Sequence, residues 1–121
     1  MTKNAKPELT MVDARIEPIQ SQYSDSIASI RATLVFECEG RATGREERRA
    51  LAIGHRIAAD LVDALDEIAA AHGYTAPTTE VGGSYRNRIE ASVTYELTTG
   101  TPAEVDAVIA LLHDIIPAPT A

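Results

Sequence analysis

The sequence predicts an α+β fold: a two-layer sandwich with a three- or four-stranded, largely antiparallel sheet and two helices on one face, in the order ββαβα. Two observations carry this expectation. Between Ser29 and Gly40, Ile30, Ala32, Leu34, Phe36 and Cys38 fall on one parity, against Arg31, Thr33, Glu37 and Glu39 on the other. Near the C-terminus Ile89, Ala91, Val93, Tyr95 and Leu97 alternate in the same way with Glu90, Ser92, Thr94 and Glu96. A period of two means that one face of the sheet is buried and the other wet. Each alternating segment leads into an amphipathic helix, so the chain reads as a weak repeat of a strand–helix unit, with chance alternation as the rival explanation.

Taken in order, residues 1–8 are polar, contain Pro7, and read as a loose N-terminal tail. Residues 9–116 form a single α+β domain, and 117–121 a short C-terminal tail. Within the domain, Val12, Ala14 and Ile16 alternate with Asp13, Arg15 and Glu17 as a first strand ended by Pro18, which suits an edge or a strand end. Gln20 to Ser26 is a polar connection into the second strand. Gly40 to Gly44 turns into a helix over Arg45 to His72, with Leu51, Ile57, Leu61, Val62, Leu65 and Ile68 on one side and Gly73 as its C-cap.

The connection Tyr74 to Asn87 is long for a compact domain and holds Pro77 and Gly82-Gly83, so it contains either a short strand or a functional loop. The direction of the strand over 86–97 relative to that over 29–39 is left open by this connection. Thr101-Pro102-Ala103-Glu104 opens the last helix as a capping box with proline at the first helical position. Val105, Val108, Ile109, Leu111, Leu112, Ile115 and Ile116 give that helix a broad apolar face, and Pro117 ends it.

Composition narrows the function classes. The 121 residues carry a net charge of −7, which argues against a general nucleic-acid binder, because such proteins present a basic footprint. No stretch approaches the ~18 apolar residues of a membrane span, and no signal-peptide core is present, so the expectation is a cytoplasmic protein without membrane contact. Cys38 is the only cysteine and has inward parity, which makes it a small buried hydrophobe rather than a reactive thiol. Arginine far outnumbers lysine and alanine is abundant, a bias that points to a GC-rich genome such as that of an actinobacterium or its phage.

No catalytic residue, metal site or cofactor is expected. His55 and His72 would stand ~25 Å apart along one helix, too far to share an ion. Two other features point to binding. Arg41, Arg45, Arg48 and Arg49 crowd the start of the first helix, where the helix dipole disfavours cations, while Asp60, Asp63, Asp66 and Glu67 oppose the dipole towards its end. An anion held by these arginines would compensate that order, as would the antiparallel helix of a two-fold mate. Local compensation by Glu46 and Glu47, with Arg56 pairing Asp60, is the plain alternative.

Ala50, Gly54 and Ala58 form a small-residue stripe on the same helix. It suits close packing within the chain or against another subunit, with Asp60, Asp63 and Glu67 as further interface candidates. The loop Val81 to Arg88 adds Gly-Gly-Ser, Tyr85, Arg86 and Arg88 as candidates for recognising a phosphate or an acidic partner, without the ending of a phosphate-binding loop and with a plain turn into the strand as the simpler reading.

The sequence therefore points to a small non-enzymatic interaction or assembly module, homo-oligomeric or bound to another protein. Its location is cytoplasmic, or within a virion if phage-encoded. Two other classes stay open: an anion- or small-ligand-binding protein using the arginine cluster, and an acidic inhibitor that imitates nucleic acid.

Overall fold

The computed structural model describes residues 9–69 and 77–119; the expected tail 1–8, His72 and the cap at Gly73 lie outside them. The elements are β1 (Leu9–Gln20), β2 (Ile27–Cys38), α1 (Gly44–Ala69), β3 (Thr78–Tyr85), β4 (Arg88–Glu96) and α2 (Pro102–Ile115). They build one sheet in the order β1-β2-β4-β3, with every neighbouring pair antiparallel. The order is thus ββαββα rather than ββαβα, because the connection before the last strand itself contains β3. Gly82 and Gly83 interrupt the alternation of β3, and the two-residue turn Arg86-Asn87 carries none of the usual glycine signal for a tight hairpin.

The strand over 86–97 is antiparallel to that over 29–39, and the register explains the resemblance between the two strands. Thr33 faces Ser92, with Ile30 opposite Tyr95, Ala32 opposite Val93, Leu34 opposite Ala91 and Phe36 opposite Ile89. Read as repeats, Ile30 matches Ile89, Ala32 matches Ala91, Leu34 matches Val93 and Phe36 matches Tyr95. A local two-fold through the Thr33–Ser92 pair relates both descriptions. The unit repeated is a ββα hairpin-plus-helix, and the halves exchange helices: α1 follows β2 but packs mainly on β3 and β4, while α2 follows β4 and packs on β1 and β2.

Both helices and one sheet face enclose an aliphatic core centred on Ile30, Leu34, Phe36, Leu61, Ile89, Val93, Val108 and Leu112, all of them buried. At ~1.5–3 kcal/mol for each large side chain fully buried, this cluster is the main stabilising term. β1 continues through Pro18 to Gln20 instead of ending there. As an edge strand it has one side without ladder partners, where a residue lacking an N–H is tolerated.

Two bulges shape the other end of the sheet. β1 is irregular between Met11 and Asp13, and β3 between Val81 and Ser84. Both flank the central row in which Val35 pairs with Asp13 on one side and Glu90 on the other. Bulges bend the strand that carries them, so the two edges are bent beside the same row.

The helix starts repeat as well. Thr43 Oγ1 accepts from Arg45 N at 3.3 Å and donates to Glu46 Oε2 at 2.9 Å. Thr101 Oγ1 accepts from Glu104 N at 3.3 Å. Glu104 does not reach back to the N-cap amide as an ordinary capping box would. Its carboxylate instead accepts from the backbone N–H groups of Thr98, Thr99 and Gly100, each at 2.8 Å. Gly100 has φ 69, a left-handed conformation in which glycine carries no side-chain penalty. Glu104 thereby fixes the whole connection from β4 into α2.

Candidate functional site

The site lies at the end of the sheet where β2 leaves and β4 begins. The turn Arg86-Asn87 is tied to the segment after β2 by two backbone bonds: Cys38 N donates to Asn87 O at 2.9 Å, and Ala42 N donates to Arg86 O at 2.6 Å. Gly40, at φ 77, lets the chain fold over the hairpin tip between these two anchors. The result is an open hollow of about 700 Å³ lined by Gly40, Arg41, Ala42, Tyr85, Arg86 and Asn87.

Two arginines forty-five positions apart in sequence thus meet at one concavity. The Arg86 guanidinium lies 5.2 Å from the centroid of the Tyr85 ring. Stacking occupies the face of the guanidinium and leaves its in-plane N–H groups available to an acceptor. Arg86 holds φ 56, an uncommon conformation for a residue with a side chain.

Tyr85 is also the wall of a second hollow of about 480 Å³, on the sheet face turned away from α1 and α2, where Val12, Asp13, Arg15, Val35, Arg88 and Glu90 line it. Val35 is an apolar residue of outward parity in β2, yet it is only 5% exposed and lies against this hollow. Both arginines around it are already paired. Arg88 binds Glu37 Oε2 through Nη2 and Nε, both at 2.8 Å, and Arg15 lies 3.3 Å from Asp13. Arg41 and Arg86 have no ion-pair partner among the described residues.

The candidate anion ligands therefore separate. Arg41 and Arg86 share one hollow, and Arg88 belongs to the neighbouring one. Arg45, Arg48 and Arg49 are exposed in the first two turns of α1 and line neither. Tyr85, a candidate of the Val81–Arg88 loop, joins them in this hollow, and Asn87, which completes it, is signalled in the sequence only by its place beside Arg86.

The candidate interface residues separate too. Ala50, Gly54 and Ala58 are buried on the core side of α1, and a Cβ on Gly54 would stand 2.6 Å from Thr79 Cγ2 and 3.8 Å from Val93 Cγ2. Their groove is filled by β3 and β4 of the same chain and is closed to a second subunit. Asp60 and Asp63 are exposed on the opposite side, and the side chain of Glu67 lies outside the described residues.

Cys38 is half-buried, packed against the core, with its thiol directed at Asn87 O at 3.5 Å and Gly40 O at 3.6 Å. Desolvation, with a further contribution from the Glu46 carboxylate, raises its pKa above the ordinary thiol value. A thiol so placed is a poor nucleophile at neutral pH. Among the described residues no group of three or more His, Cys, Asp or Glu side chains could hold a metal ion, and no helix is long and apolar enough to cross a membrane. Comparison with protein-family models, with curated proteins and with solved structures returned no match.

Proposed function

We propose that the protein is a non-enzymatic interaction module whose recognition site is the Arg41–Arg86 hollow, taking a carboxylate or phosphate group presented by its partner. One observation carries this reading: in a chain of net charge −7, two arginines without described ion-pair partners are brought to one concavity by a backbone lock at 2.6 Å. Arg86 offers its in-plane donors from a guanidinium steadied on Tyr85, and Arg41 supplies a second fork from the facing segment. Two planar, permanently charged donors suit bidentate capture of an oxyanion.

The test is a titration followed by backbone amide NMR, with inorganic phosphate in one series and a short polyglutamate peptide in another. Shifts concentrated at Arg41, Ala42, Arg86 and Asn87, and lost in Arg86→Gln, support the site. Shifts spread evenly over all exposed arginines, or none at all, would overturn it.

A further inference from the structure

The outward face of α1 lies apart from the hollow beside Tyr85 and has its own pattern. Arg49, Ala52, Arg56, Ala59 and Asp63 are all exposed and recur at alternating spacings of three and four, so they share one face of the helix. Arg48 flanks this face and is also exposed. Glu46 and Glu47 stand in the first turn of this helix, but no direct pairing accompanies them: neither Arg48, Arg49 nor Arg56 forms an ion pair with a described residue, and Asp60 and Asp63 form none either. The ion pairs of the described residues are Arg15–Asp13 and Arg88–Glu37, both on the sheet. On this outward face the helix holds cations near its positive end and anions towards its negative end, an order that its own dipole disfavours and that Glu46 and Glu47 in the first turn offset only in part.

We infer that this face pairs with the same face of a second copy of the chain, in an antiparallel α1–α1 dimer whose two-fold passes between His55 and Arg56. In that register Ala52 faces the partner subunit's Ala59, and Arg48 faces the partner subunit's Asp63. Each of these contacts occurs twice. Small residues at the crossing allow the two axes to approach to the short end of the usual 8–10 Å range. The partner subunit's Asp63 stands beside the positive start of α1, and the partner subunit's Arg48 beside its negative end, so both dipole conflicts are relieved at once. The repeated Arg48–Asp63 contact makes the two ends of this face complementary in charge, as a two-fold interface requires.

The register makes a charge-swap experiment decisive. Sedimentation equilibrium of the full chain should show a dimer that weakens at least tenfold in Kd between about 0.05 M and about 0.5 M salt, as screening shortens the reach of the paired charges. Arg48→Glu should place two carboxylates opposite each other and give a monomer, and Asp63→Arg should do the same with two cations. Mixing these two variants should restore a dimer containing one of each. In that mixed dimer the introduced carboxylate of one chain meets the introduced guanidinium of the other, and the native Arg48–Asp63 contact forms once. Circular dichroism of each variant separates dissociation from unfolding. A wild-type monomer at every concentration and salt would overturn the inference. So would a dimer that survives Arg48→Glu, or two folded monomeric variants that fail to pair on mixing. Because none of these positions lines the Arg41–Arg86 hollow, the result is independent of the anion titration.

Discussion

The Cβ that Gly54 lacks would fall 2.6 Å from the Cγ2 methyl of Thr79, closer than two carbon atoms can stand. α1 approaches β3 so tightly because this helix position has no side chain. Thr79 cannot easily yield, being β-branched, and its Oγ1 is buried without a hydrogen-bond partner among the described residues. Gly54→Ala gains ~1 kcal/mol of helix propensity but meets an overpacking cost of ~1–3 kcal/mol, so a net loss of about 1 kcal/mol is expected. Thr79→Ser removes the offending methyl, and in that background Gly54→Ala should become neutral or stabilising. Urea unfolding of the four proteins of this cycle measures the coupling; additive effects would show that the contact is not what fixes the helix against the sheet.

Glu104 makes stability depend on acid. Burial pushes its pKa up, but the N–H groups of Thr98, Thr99 and Gly100 and the Thr99 hydroxyl together outweigh burial and hold the value below the ordinary carboxylate range. A folded pKa below the unfolded one means that the ionised form is favoured by folding. The contribution is fully present above the unfolded value of ~4.3 and is lost as pH falls through the lower, folded value. The urea midpoint of the wild type should drop over this window, and Glu104→Gln should be less stable at neutral pH with a shallower acid limb. Parallel acid limbs in the two proteins would remove Glu104 from the account.

The two central strands were legible because alternation over nine or more residues is a strong signal, and Ile30 to Phe36 and Ile89 to Tyr95 are buried as their parity requires. β3 was less so. Its inward residues Thr79 and Val81 precede two glycines and a bulge, and edge strands need little apolar alternation to pair. The small-residue stripe on α1 was visible as packing surface, but which surface it met depended on where β3 lay. Ala50, Gly54 and Ala58 face the sheet, and the stripe left outside runs through Ala52 and Ala59. The hollow was the least legible feature. Arg41 and Arg86 meet only through a hairpin register and a backbone bond to Ala42, neither of which leaves a local pattern.

Cys38 should resist modification although it is not fully enclosed. Its raised pKa leaves little thiolate at neutral pH. The rate of alkylation by iodoacetamide should rise with a midpoint above the ~8.5 of a free thiol, and should lag far behind the same chain in denaturant. Glu46→Gln removes the carboxylate that opposes ionisation and should move the midpoint down. An alkylation midpoint at or below that of the denatured chain contradicts this environment.

Arg86 separates stability from recognition. For a residue with a Cβ, the left-handed region costs ~1–2 kcal/mol, whereas glycine enters it freely. The stacked pair with Tyr85 returns ~0.5–1 kcal/mol at so exposed a position. Arg86→Gly should therefore leave stability unchanged or raise it by up to about 1 kcal/mol, while Arg86→Ala, which keeps the backbone cost and loses the stack, should lower it. Both should abolish the phosphate-induced amide shifts at Arg41 and Asn87. Thermal melts of the two variants beside the titration decide the matter. If glycine destabilises as much as alanine, Arg86 is present to hold the hairpin. If glycine stabilises and the shifts vanish, the turn accepts a strained arginine because its guanidinium is needed at the hollow.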